Sequence, residues 1–422
     1  MTLVDKGLTR REFLKGATMT ALLLASEELL AAEAPPAAAP SGPPVGCGVV
    51  GVGAQGKELL AALSRLESAK VLAFCDSYEP FLNRAKEVAP AAAAYQDSRK
   101  LLDSKDVQAV FVATPSHLHK DIALAALQAG KHVYCEAPLA TTIQDCKEIA
   151  LAAKGAKQVF QVGQQFRANK LQRHVLKFVR TGVLGTCVQA RAQWHKKESW
   201  KRIAPTPERE EELNWRLSKA TSAGLPGEVG IHQFDVINWY LDALPVSIVG
   251  YGGILHWKDG RDVPDTVQCI FEYPSGVRAI FDATLASSAE GAYELFQGSD
   301  GAILLRDERS WLLKEADAPM LGWEVYARKE KVGDDSGICL IADSTKYIKA
   351  GKEPGKEAPT EPGKNALVNS VESFVLAVQQ GGEPACSAEQ GYRAAVTAIK
   401  ANEAVLSGTK VTLPKELFDL QT

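Results

Sequence analysis

The stretch that most constrains this chain is Val45 to Glu58, VGCGVVGVGAQGKE. A short apolar run ends in Gly51, Gly53 and Gly56, and a helical pattern follows at once. G-x-G-x-x-G at the end of a strand and the start of a helix is the arrangement that cradles a dinucleotide pyrophosphate. Gly51 permits the tight turn, Gly53 leaves no Cβ before the pyrophosphate, and Gly56 lets the helix approach the strand. The helix start offers unpaired N–H groups to phosphate, so Ala54 and Gln55 join the cofactor-binding candidates. The next strand, Lys70 to Cys75, ends in Asp76, twenty residues beyond Gly56. An acid there binds both ribose hydroxyls and repels a 2′-phosphate. No Arg or Lys follows until Arg84, so NAD is favoured over NADP.

From Val45 to about Gln164, strands and helices alternate. Helices are expected from Gly56 to Ser64, Glu79 to Val88, Gln96 to Ser104, Asp121 to Ala129 and Thr142 to Ala153. Strands are expected at Val107 to Ala113, Lys131 to Cys135 and Gln158 to Val162. That spacing implies a doubly wound parallel α/β sheet, with ligands beyond the carboxyl ends of its strands. Thr114, His119, Glu136 and Gln164 all fall there.

Beyond Arg167 the texture changes. Cys187 to His195 alternates, and further strands are expected near 246–256, 266–273, 277–285, 292–297, 302–305 and 311–315. These make a mostly antiparallel sheet with one half-polar face. A helix is expected from Ile231 to Leu241, a loop at Lys349 to Lys364, and closing helices at Leu367 to Gln379 and Ala388 to Leu406. Pro207 to Glu212 reads as a solvated charged loop. At 422 residues the chain is long enough for two domains. The division expected is 1–44 as a leader, 45–165 as a Rossmann domain, and 166–422 as a second α/β domain with a large open sheet.

The leader carries Thr9–Arg10–Arg11–Glu12–Phe13–Leu14–Lys15 ahead of a modest apolar run, then an Ala/Pro linker, Ala31 to Pro44. This is a twin-arginine export signal in outline. It implies a periplasmic or extracytoplasmic protein exported folded, with the membrane contacted only through an uncleaved signal. Free NAD is scarce there, so the cofactor should be held tightly and recycled in place. A net charge of −3, with no basic stripe, gives no reason to expect nucleic acid. The eight cysteines are irregularly spaced without C-x-x-C and read as buried thiols. No metal cluster is expected.

Read together, GVGAQG, the strand-end CD, ATPSHLH and EAP, then Asn214–Trp215–Arg216 and Gly227-Glu228-Val229-Gly230-Ile231-His232-Gln233-Phe234-Asp235, resemble the glucose–fructose oxidoreductase / inositol dehydrogenase / MocA family over about residues 45–410. The resemblance implies hydride transfer between NAD(P) and a sugar or cyclitol, and a homo-oligomer formed through the C-terminal sheet. It places Thr114, Pro115 and His119 near the nicotinamide half, Glu136 near its ribose, and Gln164 and Arg167 at the cofactor–substrate boundary. The family's acid-x-x-x-His pair falls on Glu228 and His232. Four residues apart on a helix, these project to one side. A carboxylate beside an imidazole raises its pKa and fixes its tautomer, which suits a base for a hydroxyl proton. Asp235 reads as structural. Trp200, Trp215 and His195 are candidates for contacting a carbohydrate.

The chain departs from the resemblance at Ala137, where the family has a proton-transferring Lys. His232 then acts alone, or His119, Lys196 or Lys197 substitutes, or the chemistry differs. The readings left open are an NAD-dependent oxidoreductase, a glycosidase that oxidises its sugar transiently and eliminates the aglycone, and a non-catalytic sugar-binding protein that retains NAD.

Overall fold

The computed structural model describes residues 42–341 and 365–420. The expected export signal and the expected 349–364 loop lie outside the described residues. The first domain runs β1 (Val45–Val50), α1 (Ala54–Leu63), β2 (Ala69–Cys75), α2 (Glu79–Val88), β3 (Ala93–Tyr95), α3 (Ser98–Leu102), β4 (Ala109–Val112), α4 (His119–Gln128), β5 (His132–Cys135), α5 (Ile143–Gly155) and β6 (Phe160–Val162). Its six strands are parallel in the order β3-β2-β1-β4-β5-β6. β1 is buried at every position, as a strand covered on both faces must be. The strand order reverses at β1 and β4, which opens a crevice past their carboxyl ends. β3 was not foreseen, because the alanine run before Tyr95 has no alternation to read. It forms by pairing with the free edge of β2.

The second domain comprises α6 (Lys170–Arg180), β7 (Cys187–His195), α7 (Pro207–Leu213), α8 (Ile231–Leu241), β8 (Ser247–Gly253), β9 (Thr266–Glu272), β10 (Arg278–Thr284), β11 (Ala292–Gly298), β12 (Gly301–Arg306), β13 (Arg309–Lys314), β14 (Lys329–Val332), β15 (Asp335–Cys339), α9 (Ala366–Gln380), α10 (Ala388–Ser407) and β16 (Val411–Thr412). Its ten-stranded sheet is ordered β14-β15-β13-β12-β11-β7-β10-β9-β8-β16. Every pairing is antiparallel except β7 with β10. Two helices were missed. In α6, Asn169 caps the Gln172 N–H and Leu171, Val175 and Leu176 are buried, a helical signal that was legible. In α7 no residue is buried, so hydrophobic periodicity had nothing to show; Pro207 in its first turn was the sign.

Helix α8 lies on the inner face of the large sheet. Phe234 packs between Phe271 and Phe281, with ring centroids 4.7 and 4.8 Å away. Tyr240 stacks on Phe296 at 4.9 Å and donates to the Gln172 carbonyl at 2.7 Å. These anchors fix the helix that carries His232. Helix α9 returns to the first domain. Its Phe374 meets Phe111 and Tyr134 edge-on at 5.2 and 5.7 Å, and Gln161 donates to the Ser370 carbonyl at 2.9 Å. All eight cysteines are free; Cys187 and Cys339 are half-buried and the other six buried.

Glu294 on β11 is buried, and Gln233 Nε2 donates to it at 3.1 Å. Burial raises its pKa to about 7 against that hydrogen bond. The folded state therefore holds this proton more tightly than the unfolded chain does. Its contribution is complete below the unfolded value and is lost as pH rises through 7, at a cost on the order of 3 kcal/mol. Glu294→Gln is expected to raise the melting temperature at pH 8 far more than at pH 5. Equal differences in thermal scans at the two pH values would show that Glu294 does not titrate in this window.

Candidate active site

A cleft of about 610 Å³ lies between the carboxyl ends of the parallel strands and the second domain. Its floor is the glycine turn. Gly51 has φ +85°, and a Cβ there would lie 2.7 Å from the Ala113 carbonyl group. A Cβ on Gly56 would lie 1.9 Å from the Gly51 carbonyl oxygen, so α1 packs on β1 with no room for a side chain. Gly53 differs: a Cβ there meets only the Phe81 ring at 3.5 Å, on the open side. No side chain caps α1, which leaves the N–H groups of its first turn, around Ala54 and Gln55, to a ligand. Asp76 accepts from the Val52 and Tyr78 N–H groups at 2.8 and 2.9 Å. Burial raises its pKa, against those donors and Arg209.

Thr114, Pro115, Ser116, His117 and His119 form one wall. His119 is a strut, its Nδ1 2.8 Å from the Pro138 carbonyl and its Nε2 2.9 Å from that of Thr114. Burial lowers its pKa. Glu136 accepts from Gln55 Nε2 at 2.9 Å, and burial raises it to about 7. The opposite wall comes from the second domain and includes Trp200, Arg202, Trp215, Arg216, Glu228 and His232. The Arg216 guanidinium lies 5.6 Å from the Trp200 ring centroid and 4.6 Å from that of Trp215.

His232 Nδ1 donates to Gln164 Oε1 at 3.1 Å, since an amide oxygen can only accept. That places the proton on Nδ1 and leaves the Nε2 lone pair as the basic atom. Burial lowers this imidazole to about 4, with Asp235 opposing, so it is neutral at pH 7. The expected partnership with Glu228 is corrected. Pro226–Gly230 is a π-helical turn, so the regular four-residue projection does not carry from Glu228 to His232. The Glu228 carboxylate instead accepts from the Ala223 N–H at 3.2 Å, from Ser116 at 3.3 Å and from Ser222 at 3.4 Å, and pairs with Arg216 at 3.5 Å. Its role is to hold Arg216 and Ser116, and the imidazole's pKa falls rather than rises.

Two further site expectations fail. Arg167 forms a buried two-pronged pair with Asp235, at 2.7 and 2.8 Å, and lines a different cleft beside Trp239. The structural reading of Asp235 agrees with this. His195 sits on the strand face opposite Trp194, 2.5 Å from Asp282, and is not among the cleft-lining residues. Lys196 pairs with Glu198, and neither Lys196 nor Lys197 lines the cleft. The sequence reading missed Phe81, Ser116, His117 and Arg202. No spacing rule marks them, because they meet only through the turn of β4 and the crossing of the second domain.

The residues present fit a nicotinamide dinucleotide. The glycine cradle is open only at Gly53, and Asp76 stands at the end of β2. Among the described residues, the buried Thr114 Oγ1, His117 Nδ1 and Gln164 Nε2 have no hydrogen-bond partner, as polar groups awaiting a ligand would. Fold and cleft together define a two-domain, dinucleotide-dependent oxidoreductase. Residues 45–164 match the family described as "Oxidoreductase family, NAD-binding Rossmann fold", and residues 172–304 match the GFO/IDH/MocA C-terminal domain. The chain belongs to the Gfo/Idh/MocA oxidoreductases, and its cofactor is NAD.

It is 30% identical to a 2,7-anhydro-N-acetylneuraminate hydratase of Escherichia coli K12, over 74% of this chain and 81% of that protein. It is 27% identical to a levoglucosan dehydrogenase of Pseudarthrobacter phenanthrenivorans, over 50% of this chain and 59% of that one. Among solved structures, levoglucosan dehydrogenase in complex with NADH and L-sorbose superposes with a TM-score of 0.71 at 19% identity, covering 88% of this chain and 99% of that one.

Proposed function

We propose that this protein oxidises or reduces a secondary alcohol carbon of a sugar, cyclitol or anhydro-sugar, with NAD retained between turnovers, after twin-arginine export to an extracytoplasmic compartment. One observation carries the reading: a neutral imidazole, His232, held by Gln164 in the same cleft as the glycine turn. When bound, NAD supplies the hydride acceptor. His232 Nε2 takes the hydroxyl proton, and Gln164 fixes the tautomer that makes Nε2 basic. Trp200 and Trp215 offer apolar faces to the sugar's C–H surface, and Arg216 between them offers donors to its hydroxyls. The test is the absorbance of reduced nicotinamide in the purified protein after addition of a broad panel of sugars, cyclitols and anhydro-sugars. Reduction of bound NAD by at least one is expected; none with any would reject the proposal.

A second reading is favoured by Ala137, whose methyl cannot move a proton where relatives of the family have Lys. Two curated relatives are named hydratases of an anhydro-sugar. Transient oxidation acidifies the neighbouring C–H, so elimination, water addition and reduction back would leave NAD unchanged overall. That route exchanges the neighbouring carbon-bound proton with solvent deuterium. Product that retains every carbon-bound proton would exclude it.

Self-association through the large sheet is part of the proposal. A row of Val249, Ile270, Ile280, Leu295 and Leu304, interrupted by Arg191, crosses its outer face by direct register. Ile270 is 42% exposed in the single chain, as a face covered by a second copy would be.

A further inference from the structure

Between β7 and α8 the chain leaves the second domain and crosses the mouth of the cleft. This strap, residues 196–217, is pinned along its length. The Glu198 N–H donates to the Leu285 carbonyl at 3.1 Å, and the Arg261 guanidinium donates to the carbonyl of Ser199. Lys201 pairs with Glu210 at 2.5 Å. Asn214 is buried and clamps the backbone of one residue from both sides. Its Oδ1 accepts the Arg202 N–H at 2.7 Å, and its Nδ2 donates to the Arg202 carbonyl at 3.0 Å. From α7, Arg209 reaches the first domain, donating to the Ser77 carbonyl at 3.1 Å with its guanidinium 5.6 Å from the Tyr78 ring centroid.

Arg202 is thereby set at one place. Its guanidinium lies 5.9 Å from the centroid of Phe81, the same ring that is nearest a Cβ built on Gly53. Arg202 and Gly53, the glycine at the N-terminus of α1, thus lie against the same ring and line the same cleft. It is half-buried, and burial lowers its pKa with Arg216 and Arg84 pushing the same way and Glu198 opposing. Among the described residues it forms no ion pair with a carboxylate, whereas Arg216 pairs with Glu228 and Arg209 with Glu212. A cation taken partly out of water next to like charges is stabilised by an incoming anion. The anion this cleft is shaped to take at the α1 N-terminus is a diphosphate.

We propose that Arg202 is a cofactor-binding residue supplied by the second domain: its guanidinium pairs with the diphosphate of NAD, and the strap that carries it closes over the adenosine half. The inference rests on the NAD-dependent reading and deepens it. It explains why Asn214 accompanies Trp215 and Arg216: the amide sets the diphosphate cation while its two neighbours line the cleft further in. It also makes retention of NAD depend on both domains.

The experiment titrates the full-length protein, stripped of nucleotide, with NADH, ADP-ribose and adenosine. The variants are Arg202→Gln and Arg202→Lys, each checked against wild type by melting temperature. Arg202→Gln is expected to weaken NADH and ADP-ribose by about tenfold to a hundredfold, the scale of a charge-assisted pair. Adenosine, which has no diphosphate, is expected to bind all three proteins equally, and Arg202→Lys to recover part of the loss. Nucleotide released from the protein as purified should fall in the same order. Unchanged ADP-ribose affinity in Arg202→Gln would overturn the proposal and leave the NAD reading standing. An equal loss for adenosine would overturn the diphosphate assignment. Failure of wild type to bind NADH would overturn both readings. Arg202→Lys, which keeps the charge and most of the volume, decides the point if the Gln variant does not fold.

Discussion

Replacing His232 by Ala is expected to lower kcat by about 10²–10⁴-fold, the usual worth of a positioned general base, while affinity for NADH is unchanged. The imidazole is held from one side by Gln164 and has no hydrogen bond to Glu228 that would raise its basicity. Its pKa, lowered by burial to about 4, sets the pH profile. The neutral form is the base, and it persists as pH falls from 7 to 5. The acid limb of kcat/KM should therefore lie near pH 4, below the ordinary histidine value of about 6.5. The folded protein binds this proton less readily than the unfolded chain, so the same group removes stability as pH drops from about 6.5 towards 4. Stopped turnover at saturating substrate checks the first point, and a buffer series the second. A loss of less than about tenfold in kcat would take proton transfer away from His232.

The second large effect is expected from one methyl group. Gly56→Ala puts a carbon 1.9 Å from the Gly51 carbonyl oxygen and 2.8 Å from its carbon, both backbone atoms that cannot swing aside. Helix α1 must move off β1, at a cost of about 3 kcal/mol by analogy with other overpacked sites. The N–H groups of its first turn move with it, and NADH affinity should fall by roughly two orders of magnitude, as for loss of two charge-assisted hydrogen bonds. Gly53→Ala is the control. Its Cβ meets only the Phe81 ring at 3.5 Å, so the melting temperature should hold while the nucleotide is displaced. Paired thermal melts and NADH titrations separate the two, and a wild-type melting temperature for Gly56→Ala would refute the packing argument.

The parallel half of the fold was legible because its signals are local. Each apolar run ends in a turn residue, and β1, β2, β4 and β5 all fell within a residue or two of their expected places. The large sheet was legible for the same reason, from local period-two alternation that is regular in β9, β10 and β12. What was hidden depends on residues far apart in sequence. Glu228 and His232 were read on a regular helix, and the π turn between them broke that projection. Arg167 stands where a boundary residue belongs, but Asp235, one turn beyond His232, holds it elsewhere. His195 follows an inward Trp194 in an alternating strand and so faces away from the cleft, onto Asp282. Asn214–Trp215–Arg216 stood out as a motif, yet what Asn214 does appears only once residue 202 is folded back against it.

Helix α9 carries a consequence for biosynthesis. The aromatic face made by Phe111 and Tyr134 is closed by Phe374, which follows the strands β7 to β15 in sequence. A fragment stopping at residue 165 would expose that face to water and should aggregate rather than fold as an autonomous nucleotide-binding unit. During synthesis the earlier-made lobe receives this covering helix only after every strand from β7 to β15 has been made.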